Sequence, residues 1–392
     1  MKNHLSRPLL ISICLACLLP LACRASARQP RQPVSSPAAP TSAQATQAAA
    51  LPTQAFAQPT AAPQATSSSI PTENLRLAAE YNAANDGISM LVMQNGQVIF
   101  EDYPNGGRAD RPHELASGTK SFNCAIAVAA AADGLLDLDE RASDTLTEWQ
   151  NDPAKAYITI RQLLSLTSGL QTGGENGRVP SYAEAIQAPL VDEPGSKFTY
   201  GAVPFQVFGE IMRRKLQPSG QSPLDYLEAR VFDPIGLQVG RWRKDADGNP
   251  HLPSGAFLTA RQWAKYGELV RLGGSWQGQT LLPYDLLEQC FQGTPANPAY
   301  GLTWWLNAEV APELRAAIPQ LTAATDVTWG VPGIPEDLVF AAGAGKQRMY
   351  VSRQLNLVVV RQAEGILASL TGLQRSQFSD AQFLRVLLAG QP

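Results

Sequence analysis

The sequence is poor in histidine and cysteine and has no excess of charge of either sign. Of its 392 residues 17% are charged and 7% aromatic, and the formal net charge is -3 at pH 7. Nucleic-acid-binding domains usually carry a clustered excess of lysine and arginine, so this balance gives no support to nucleic acid as a partner. An apolar content of 44% is ordinary for a globular protein.

The scarcity of metal-binding residue types argues against a metal protein. No C-x-x-C pair is followed by a second such pair, which is the spacing expected of a structural zinc site. We therefore expect no metal. The chain has three histidines, His4, His113 and His251, and five cysteines, at positions 14, 17, 23, 124 and 290.

The apolar run at the amino terminus is too short for a comfortable membrane span. It covers 15 residues, 8–22, and follows a positive start that contains Lys2 and Arg7, which predicts a signal peptide at residues 1–22. L-P-L-A-C resembles a bacterial lipobox and would place a lipid on Cys23, whereas A-S-A at 25–27 is an ordinary secretion site. We favour the lipoprotein. The protein is then exported and meets a membrane only through an N-terminal lipid or signal anchor.

The next segment, residues 23–72, is almost entirely Ala, Pro, Thr, Ser and Gln. Such a composition cannot bury enough apolar surface to offset the entropy of its chain, so we interpret it as a tether. The composition changes near Glu73, and residues 73–392 are expected to form the folded domain.

In this domain β-rich patterns stand at both ends and helical patterns fill the middle. This order favours an α+β fold, with an antiparallel sheet built from both termini and an inserted, mainly helical part. Asn95-Gly96 predicts a hairpin, and Thr159 with Gln162 predicts a capping box. Helices are predicted over 74–85, from the Ser117 region to 134, and over 205–215, 223–231, 260–272 and 377–388; late strands are predicted over 337–342, 347–351 and 355–361.

The segment E-L-A-S-G-T-K-S-F places Lys120 three residues after Ser117. On a helix these positions share a face, so the two side chains can touch. A lysine whose pKa is lowered by burial can accept the proton of a serine hydroxyl and so activate it as a nucleophile. The alanine- and valine-rich run that follows predicts that Lys120 lies along a buried surface.

Several spaced motifs together resemble the serine β-lactamase and penicillin-binding-protein superfamily, in its class C-like branch with esterase and amide-hydrolase relatives. The resemblance covers roughly residues 85–390. The motifs are A-S-G-T-K-S-F, I-T-I-R-Q-L-L-S-L-T-S-G-L, E-P-G-S-K-F-T-Y-G-A, P-S-G-A-F-L-T-A-R-Q-W-A-K-Y-G and F-A-A-G-A-G-K-Q-R-M-Y-V.

The resemblance implies a β-lactamase/transpeptidase-like fold and a set of catalytic residues. Ser117 would be the acylated nucleophile, Lys120 its proton partner, and Tyr200 the second-motif proton relay. Tyr200 needs a nearby cation to favour its phenolate, and we expect Lys120 to supply it. The third motif aligns with Gly343-Ala344-Gly345, and the N–H of Lys346 would join that of Ser117 in an oxyanion hole.

Two departures from the family pattern bear on the substrate. Ala202 stands where β-lactam and peptide relatives often have an asparagine that holds a substrate amide. Gly343 stands where the third motif has a cation that meets a substrate carboxylate, and Lys346 or Arg348 is the candidate replacement. Both departures weaken the case for β-lactams and D-Ala-D-Ala peptides.

Other positions have alternative interpretations. His113 or His251 would have to be the base of a Ser-His-Asp triad, but exposed or loop positions explain both better. Trp242 and Asp245 fit a cleft edge, with structural packing favoured for Trp242. The remaining open questions are whether Trp304 and Trp305 line a substrate wall or fill the core, and whether Cys124 pairs with Cys290 after export.

These observations predict an exported serine hydrolase that forms an acyl-enzyme on Ser117 and acts on small esters or amides. One alternative is a D-Ala-type peptidase or β-lactamase acting on cell-wall-related substrates. Another is a tethered binding or sensor domain without catalysis. No organic cofactor is implied, because the chemistry of S-x-x-K is complete in the side chains.

Overall fold

A computed structural model describes residues 69–173, 178–318, 328–372 and 376–391. The predicted signal peptide, the candidate lipidation site Cys23 and nearly all of the predicted tether lie outside these residues. In the part of the chain that is described, no helix has the length and apolar character needed to cross a bilayer.

The strands form one large sheet and two small ones. The large sheet has the order β2-β1-β11-β10-β9-β8, and β3-β5-β4 and β6-β7 form the small sheets. The strands are β1 (Gly87–Gln94), β2 (Gln97–Asp102), β3 (His113–Glu114), β4 (Arg241–Trp242), β5 (Ala256–Leu258), β6 (Ser275–Trp276), β7 (Gln279–Thr280), β8 (Trp305–Leu306), β9 (Val339–Gly343), β10 (Gln347–Ser352) and β11 (Leu357–Ala363).

Helices are the commonest regular elements between β2 and β8, and others lie at both ends of the described domain. They are α1 (Thr72–Ala84), α2 (Ser121–Ala132), α3 (Ala142–Thr145), α4 (Ile160–Leu164), α5 (Tyr182–Ile186), α6 (Val203–Lys215), α7 (Pro223–Leu227), α8 (Ala260–Arg271), α9 (Tyr284–Glu288), α10 (Pro312–Ala317), α11 (Ile366–Thr371) and α12 (Asp380–Ala389). Shorter 3-10 turns lie at Ala116–Lys120, Thr147–Trp149, Gln217–Ser219 and Gln289–Phe291.

The large sheet joins the two ends of the domain, as predicted. Strand β1 pairs antiparallel with β11, with Leu91 opposite Val360. Successive side chains of a strand point to opposite faces. On β10, Met349 faces Gly267 of α8, whereas Tyr350 stacks on Phe383 of α12. Helices α8 and α12 therefore cover opposite faces, and the α+β prediction is confirmed.

Local sequence patterns fix several turns and caps. Asn95 and Gly96 both have positive φ, 51° and 80°, as a two-residue hairpin of this type requires. The Thr159 side chain accepts from the Gln162 backbone N–H, and the Gln162 side chain accepts from the Thr159 N–H, which confirms the capping box.

Most predicted element bounds lie within three residues of the observed ones. Two differences are larger. The pattern over 223–231 is not one α-helix, because α7 ends at Leu227 and a π-helical turn, Glu228–Phe232, follows. The predicted helix that opens at Ser117 begins instead as the 3-10 turn Ala116–Lys120, and α2 starts only at Ser121.

A disulfide joins Cys124 on α2 to Cys290 in the 3-10 turn Gln289–Phe291. Their Cα atoms are 6.1 Å apart and both side chains are fully buried. The two cysteines are 166 residues apart in the sequence, so the bond closes a long loop in the unfolded chain. The pairing that the sequence left open is therefore present, and it fixes the helix that follows Lys120.

We expect the double variant Cys124→Ala/Cys290→Ala to lose about 2–4 kcal/mol of unfolding free energy, because its unfolded chain is no longer constrained. Urea unfolding measured with and without reductant provides the test. Reductant should destabilise the wild-type protein and leave the double variant unchanged. Equal stabilities of the two proteins under oxidising conditions would contradict the structural role of this bond.

Candidate active site

The 3-10 turn Ala116–Lys120 brings the predicted nucleophile and base together. A 3-10 helix has three residues per turn, so side chains at i and i+3 eclipse each other. The Lys120 Nζ lies 3.0 Å from the Ser117 Oγ, and it also donates to the Pro253 carbonyl at 3.1 Å. The pairing of Ser117 with Lys120 was predicted for an α-helix, but the tighter turn aligns the two groups more directly.

The backbone immediately before Ser117 is in an uncommon conformation. Ala116 has a φ of 45°, in the left-handed region that residues with a Cβ rarely adopt. Its carbonyl accepts a hydrogen bond from the Thr119 hydroxyl at 2.7 Å. Such strain persists only where the surroundings enforce it, and it is common at functional sites. Here it presents the partly exposed Ser117 while Lys120 stays buried.

Burial lowers the pKa of Lys120 to about 7. Only 4% of the residue is exposed, and its ammonium position lies 4.8 Å from the ring centre of Tyr200 and 5.4 Å from that of Phe205. Burial disfavours the charged form of an amine. A substantial fraction of Lys120 is therefore neutral near pH 7 and able to accept a proton.

Tyr200 also lies next to Ser117, but its ionisation state differs from the predicted phenolate. A hydrogen bond joins Tyr200 to Ser117 and favours the phenolate, yet dense packing around the phenol outweighs it and raises the pKa of Tyr200 to about 12. The expectation that Lys120 stabilises a Tyr200 phenolate is wrong, because Lys120 is itself poised to be neutral. Tyr200 is thus a neutral phenol, suited to donate a proton.

Aromatic side chains surround Tyr200. Trp305 stacks on it with ring centres 5.7 Å apart, and Tyr300 meets it edge-on at 6.3 Å. Among the described residues the buried Tyr300 hydroxyl has no hydrogen-bond partner. Sequence reasoning missed Tyr300, because nothing local distinguishes it from a core aromatic. Both tryptophans of the pair are buried: Trp305 packs on Tyr200, and Trp304 packs on Phe291.

Trp242 and Asp245 take part in packing and in a loop rather than in the reacting centre. Trp242 packs on Phe122 with ring centres 5.8 Å apart and donates to the His251 carbonyl at 2.9 Å. Asp245 accepts from Asn249 within its own turn. The packing interpretation of Trp242 is confirmed.

The histidines have other partners than Ser117. A ring nitrogen of His113, on β3, lies 2.9 Å from the Ala363 carbonyl, so this residue is partly buried in the sheet rather than exposed. His251 lies in the loop before β5, and burial lowers its pKa. No group of three or more His, Cys, Asp or Glu among the described residues is arranged to hold a metal ion.

Strand β9 approaches the turn Ala116–Lys120 most closely at Gly343. A Cβ at this position would lie 2.1 Å from the Leu115 carbonyl oxygen and 3.1 Å from the Gly118 nitrogen. Gly343 is therefore a residue that must lack a side chain. The predicted alignment of the third motif with Gly343-Ala344-Gly345 stays a prediction, and this contact favours an alignment shifted by two residues, Ala341-Ala342-Gly343.

Neither alignment gives the third motif a cation at its first position, which is Ala341 in one and Gly343 in the other. The two candidate replacements, Lys346 and Arg348, have other partners. Arg348 is fully buried and binds Asp380 with distances of 2.5 and 3.1 Å. The Lys346 ammonium lies 3.5 Å from Asp380, at the far end of the β9–β10 turn. The suggestion that Arg348 replaces the carboxylate anchor is wrong, because its charge is enclosed behind the strand.

The second motif ends in a small residue that is held close to the neighbouring chain. A Cβ on Gly201 would lie 2.3 Å from the Thr172 Cβ, and the Ala202 N–H donates to the Thr172 carbonyl at 3.0 Å. Ala202 therefore has a methyl group and no side-chain amide at the end of this motif.

We expect kcat/KM for an ester to rise with pH through an apparent pKa near 7, since Lys120 must be neutral to accept the Ser117 proton. Activity should fall as the pH drops below that value, and no loss from Tyr200 ionisation should occur below about pH 11, one unit under its pKa of about 12. The test is a pH–rate profile with Lys120→Arg, whose guanidinium cannot deprotonate, as the inactive control. A flat profile between pH 6 and 8 would contradict this assignment.

Comparison with known proteins agrees with this geometry. The sequence model of the family described as Beta-lactamase matches residues 75–365. Protein flp from Staphylococcus aureus strain MW2 is 25% identical over 171 residues, which are 39% of this chain and 34% of that protein. The chain thus matches about a third of the length of that curated relative.

Two solved structures show the same fold. A novel penicillin-binding protein homolog from Caulobacter crescentus has a TM-score of 0.59 at 15% identity, covering 82% of this chain and 97% of that one. EstCE1, a hydrolase with promiscuous acyltransferase activity, has a TM-score of 0.57 at 17% identity, covering 80% and 97%.

Proposed function

The chain belongs to the β-lactamase family, and on this premise we propose that it is an exported serine hydrolase of small esters or amides. The observation that carries the proposal is the 3.0 Å contact between the Ser117 hydroxyl and a buried amine whose pKa is about 7. A lysine in an ordinary surface position would remain charged and could not serve as a base.

The acylation step follows from the ionisation states of the three side chains. Neutral Lys120 accepts the Ser117 proton while the Ser117 Oγ forms a bond to the substrate carbonyl carbon, whose π electrons move to oxygen. The tetrahedral intermediate collapses and breaks the bond to the leaving group. Tyr200 donates its proton to the departing alcohol or amine and regains one from Lys120.

The oxyanion of this intermediate needs two N–H donors. We assign them to the backbone of Ser117 and of Ala344, the residue that follows the close approach at Gly343. This assignment replaces the N–H of Lys346, in line with the two-residue shift of the third motif. Water then attacks the acyl-enzyme by the reverse of the same proton transfers and frees the acid.

The surroundings of the site favour neutral substrates. Ala202 provides no amide to hold a peptide or β-lactam side chain, and Ala341 provides no cation for a carboxylate. Arg348 is enclosed with Asp380. The buried aromatic side chains of Tyr300 and Trp305 pack against Tyr200 and make the surroundings of its phenol apolar. Small esters and uncharged amides meet these conditions better than β-lactams or D-Ala-D-Ala stems do.

Export is part of the proposal. The disulfide between Cys124 and Cys290 supports it, since such bonds persist outside the reducing cytoplasm. We propose that the signal peptide at residues 1–22 directs export and that Cys23 carries the lipid anchor.

We expect p-nitrophenyl butyrate to be hydrolysed by the wild-type protein and not by Ser117→Ala, with little turnover of nitrocefin by either. Steady-state rates on both substrates are the measurement. Ser121→Ala is the matched control, because Ser121 is a buried serine on the same segment whose hydroxyl donates to the Gly118 carbonyl. It should keep its ester activity.

Strong Ser117-dependent nitrocefin turnover would show that Ala202 and the uncharged third motif do not exclude β-lactams. The absence of Ser117-dependent turnover on both substrates would contradict the esterase proposal and favour a binding domain.

A further inference from the structure

A segment preceding β5 runs along the turn that carries Ser117 and Lys120. The Leu115 N–H donates to the Ala256 carbonyl at 3.0 Å, and the Ala256 N–H donates to the Thr119 hydroxyl at 3.1 Å. Leu252 and Pro253 lie four and three residues before Ala256 in the sequence. The Pro253 carbonyl is the second acceptor of the Lys120 amine, at 3.1 Å.

This carbonyl helps to fix the direction of the Lys120 side chain. A lysine has four rotatable side-chain bonds, so a single contact with Ser117 would leave its amine free to swing. Bound between the Ser117 Oγ and the Pro253 carbonyl, the nitrogen has one orientation. The position of residues 252 and 253 therefore determines where the Lys120 amine lies and how far it is exposed to water.

Asn123 holds Leu252 from the side of α2. It is a buried residue, one turn after Lys120, and its Nδ2 donates to both the Lys120 and the Leu252 carbonyls at 3.0 Å. Two carbonyl acceptors require the NH₂ side of the amide, so its orientation is determined by chemistry. Among the described residues its buried Oδ1 has no hydrogen-bond partner, which is a cost that packing alone does not explain.

Gln206 holds the same residue from the side of α6. Its Oε1 accepts from the Leu252 N–H at 3.1 Å, and its Nε2 donates to the Pro180 carbonyl at 2.7 Å. Gln206 is fully buried. Both backbone polar groups of Leu252 are thus bound by side chains from two different helices, immediately before the carbonyl that binds Lys120.

We propose that Asn123 and Gln206 are positioning residues that clamp Leu252, so that the Pro253 carbonyl holds and covers the amine of Lys120. The clamp rests on the proposed function for its catalytic meaning, but its effect on Lys120 does not require turnover. A purely structural role would satisfy the Leu252 backbone without changing the ionisation of Lys120.

The groups around Lys120 set the sign of the expected effect. Tyr200, from the loop before α6, and Phe205, on α6, lie closest to its amine. His251 belongs to the covering segment, and Arg348 lies on β10. Burial is the resolved cause of the lowered pKa of Lys120. Loosening the clamp admits water, and the pKa must then rise towards its ordinary value.

The experiment titrates the protein labelled with [13Cε]lysine, and the Lys120 resonance is assigned from its loss in Lys120→Arg. We expect Lys120 to titrate near 7 in the wild type and about one pH unit higher in Asn123→Ala. That shift lowers the neutral fraction at pH 7 from about a half to about a tenth, so ester turnover should fall about fivefold. Gln206→Ala should change both quantities in the same direction.

Asn82→Ala is the matched control, because Asn82 is an equally buried asparagine on α1. Its thermal unfolding can be compared directly with that of the other variants, and its Lys120 titration should stay near 7. An unchanged Lys120 pKa in folded Asn123→Ala and Gln206→Ala would overturn the clamp. A shift in the Lys120 pKa without wild-type ester turnover would retain the clamp and reject the proposed function instead.

Discussion

The site depends on an amine that is buried against a serine, and among the described residues no carboxylate is resolved as raising the pKa of that amine. Lowering the pKa of Lys120 from 10.5 to about 7 corresponds to roughly 5 kcal/mol disfavouring its charged form. A nearby Asp or Glu would reduce this cost, but it would also keep the lysine protonated and unable to act as a base. Packing must therefore keep Lys120 buried, and several structural features around it contribute to this burial.

These features come from different parts of the chain. Helix α2 consists largely of small residues, so neighbouring elements approach Lys120 closely, and the disulfide of Cys124 fixes that helix to a distant turn. On the sheet side, Gly343 lets β9 meet the turn that carries Ser117 without an intervening side chain. The buried pair of Arg348 and Asp380 stands behind it, and Arg348 also donates to the Gly343 carbonyl at 3.3 Å.

Features determined by a few neighbouring residues could be predicted from the sequence. The hairpin at Asn95-Gly96 and the capping box at Thr159 depend on local backbone preferences. The pairing of Ser117 with Lys120 depends only on their spacing, which places them together on either kind of helical turn. The burial of Lys120 followed from the apolar run after it.

Features determined by tertiary contact could not be predicted in this way. The residue spacing alone did not single out Gly343 among the glycines of the third motif, because its close approach to the Leu115 carbonyl is a tertiary contact. From the sequence Arg348 was a candidate anchor for a substrate carboxylate, but the packing of α12 buries it against Asp380. The ionisation of Tyr200 depends on its aromatic neighbours, which lie about 100 residues away in the sequence. Acylation of Ser117 is the central claim, and mass spectrometry of the intact protein, acid-quenched within milliseconds of mixing with p-nitrophenyl butyrate, measures it directly. We expect a butyryl adduct that peptide mapping places on Ser117 and that is absent in Lys120→Arg. No adduct, or an adduct on another residue, would contradict acylation of Ser117.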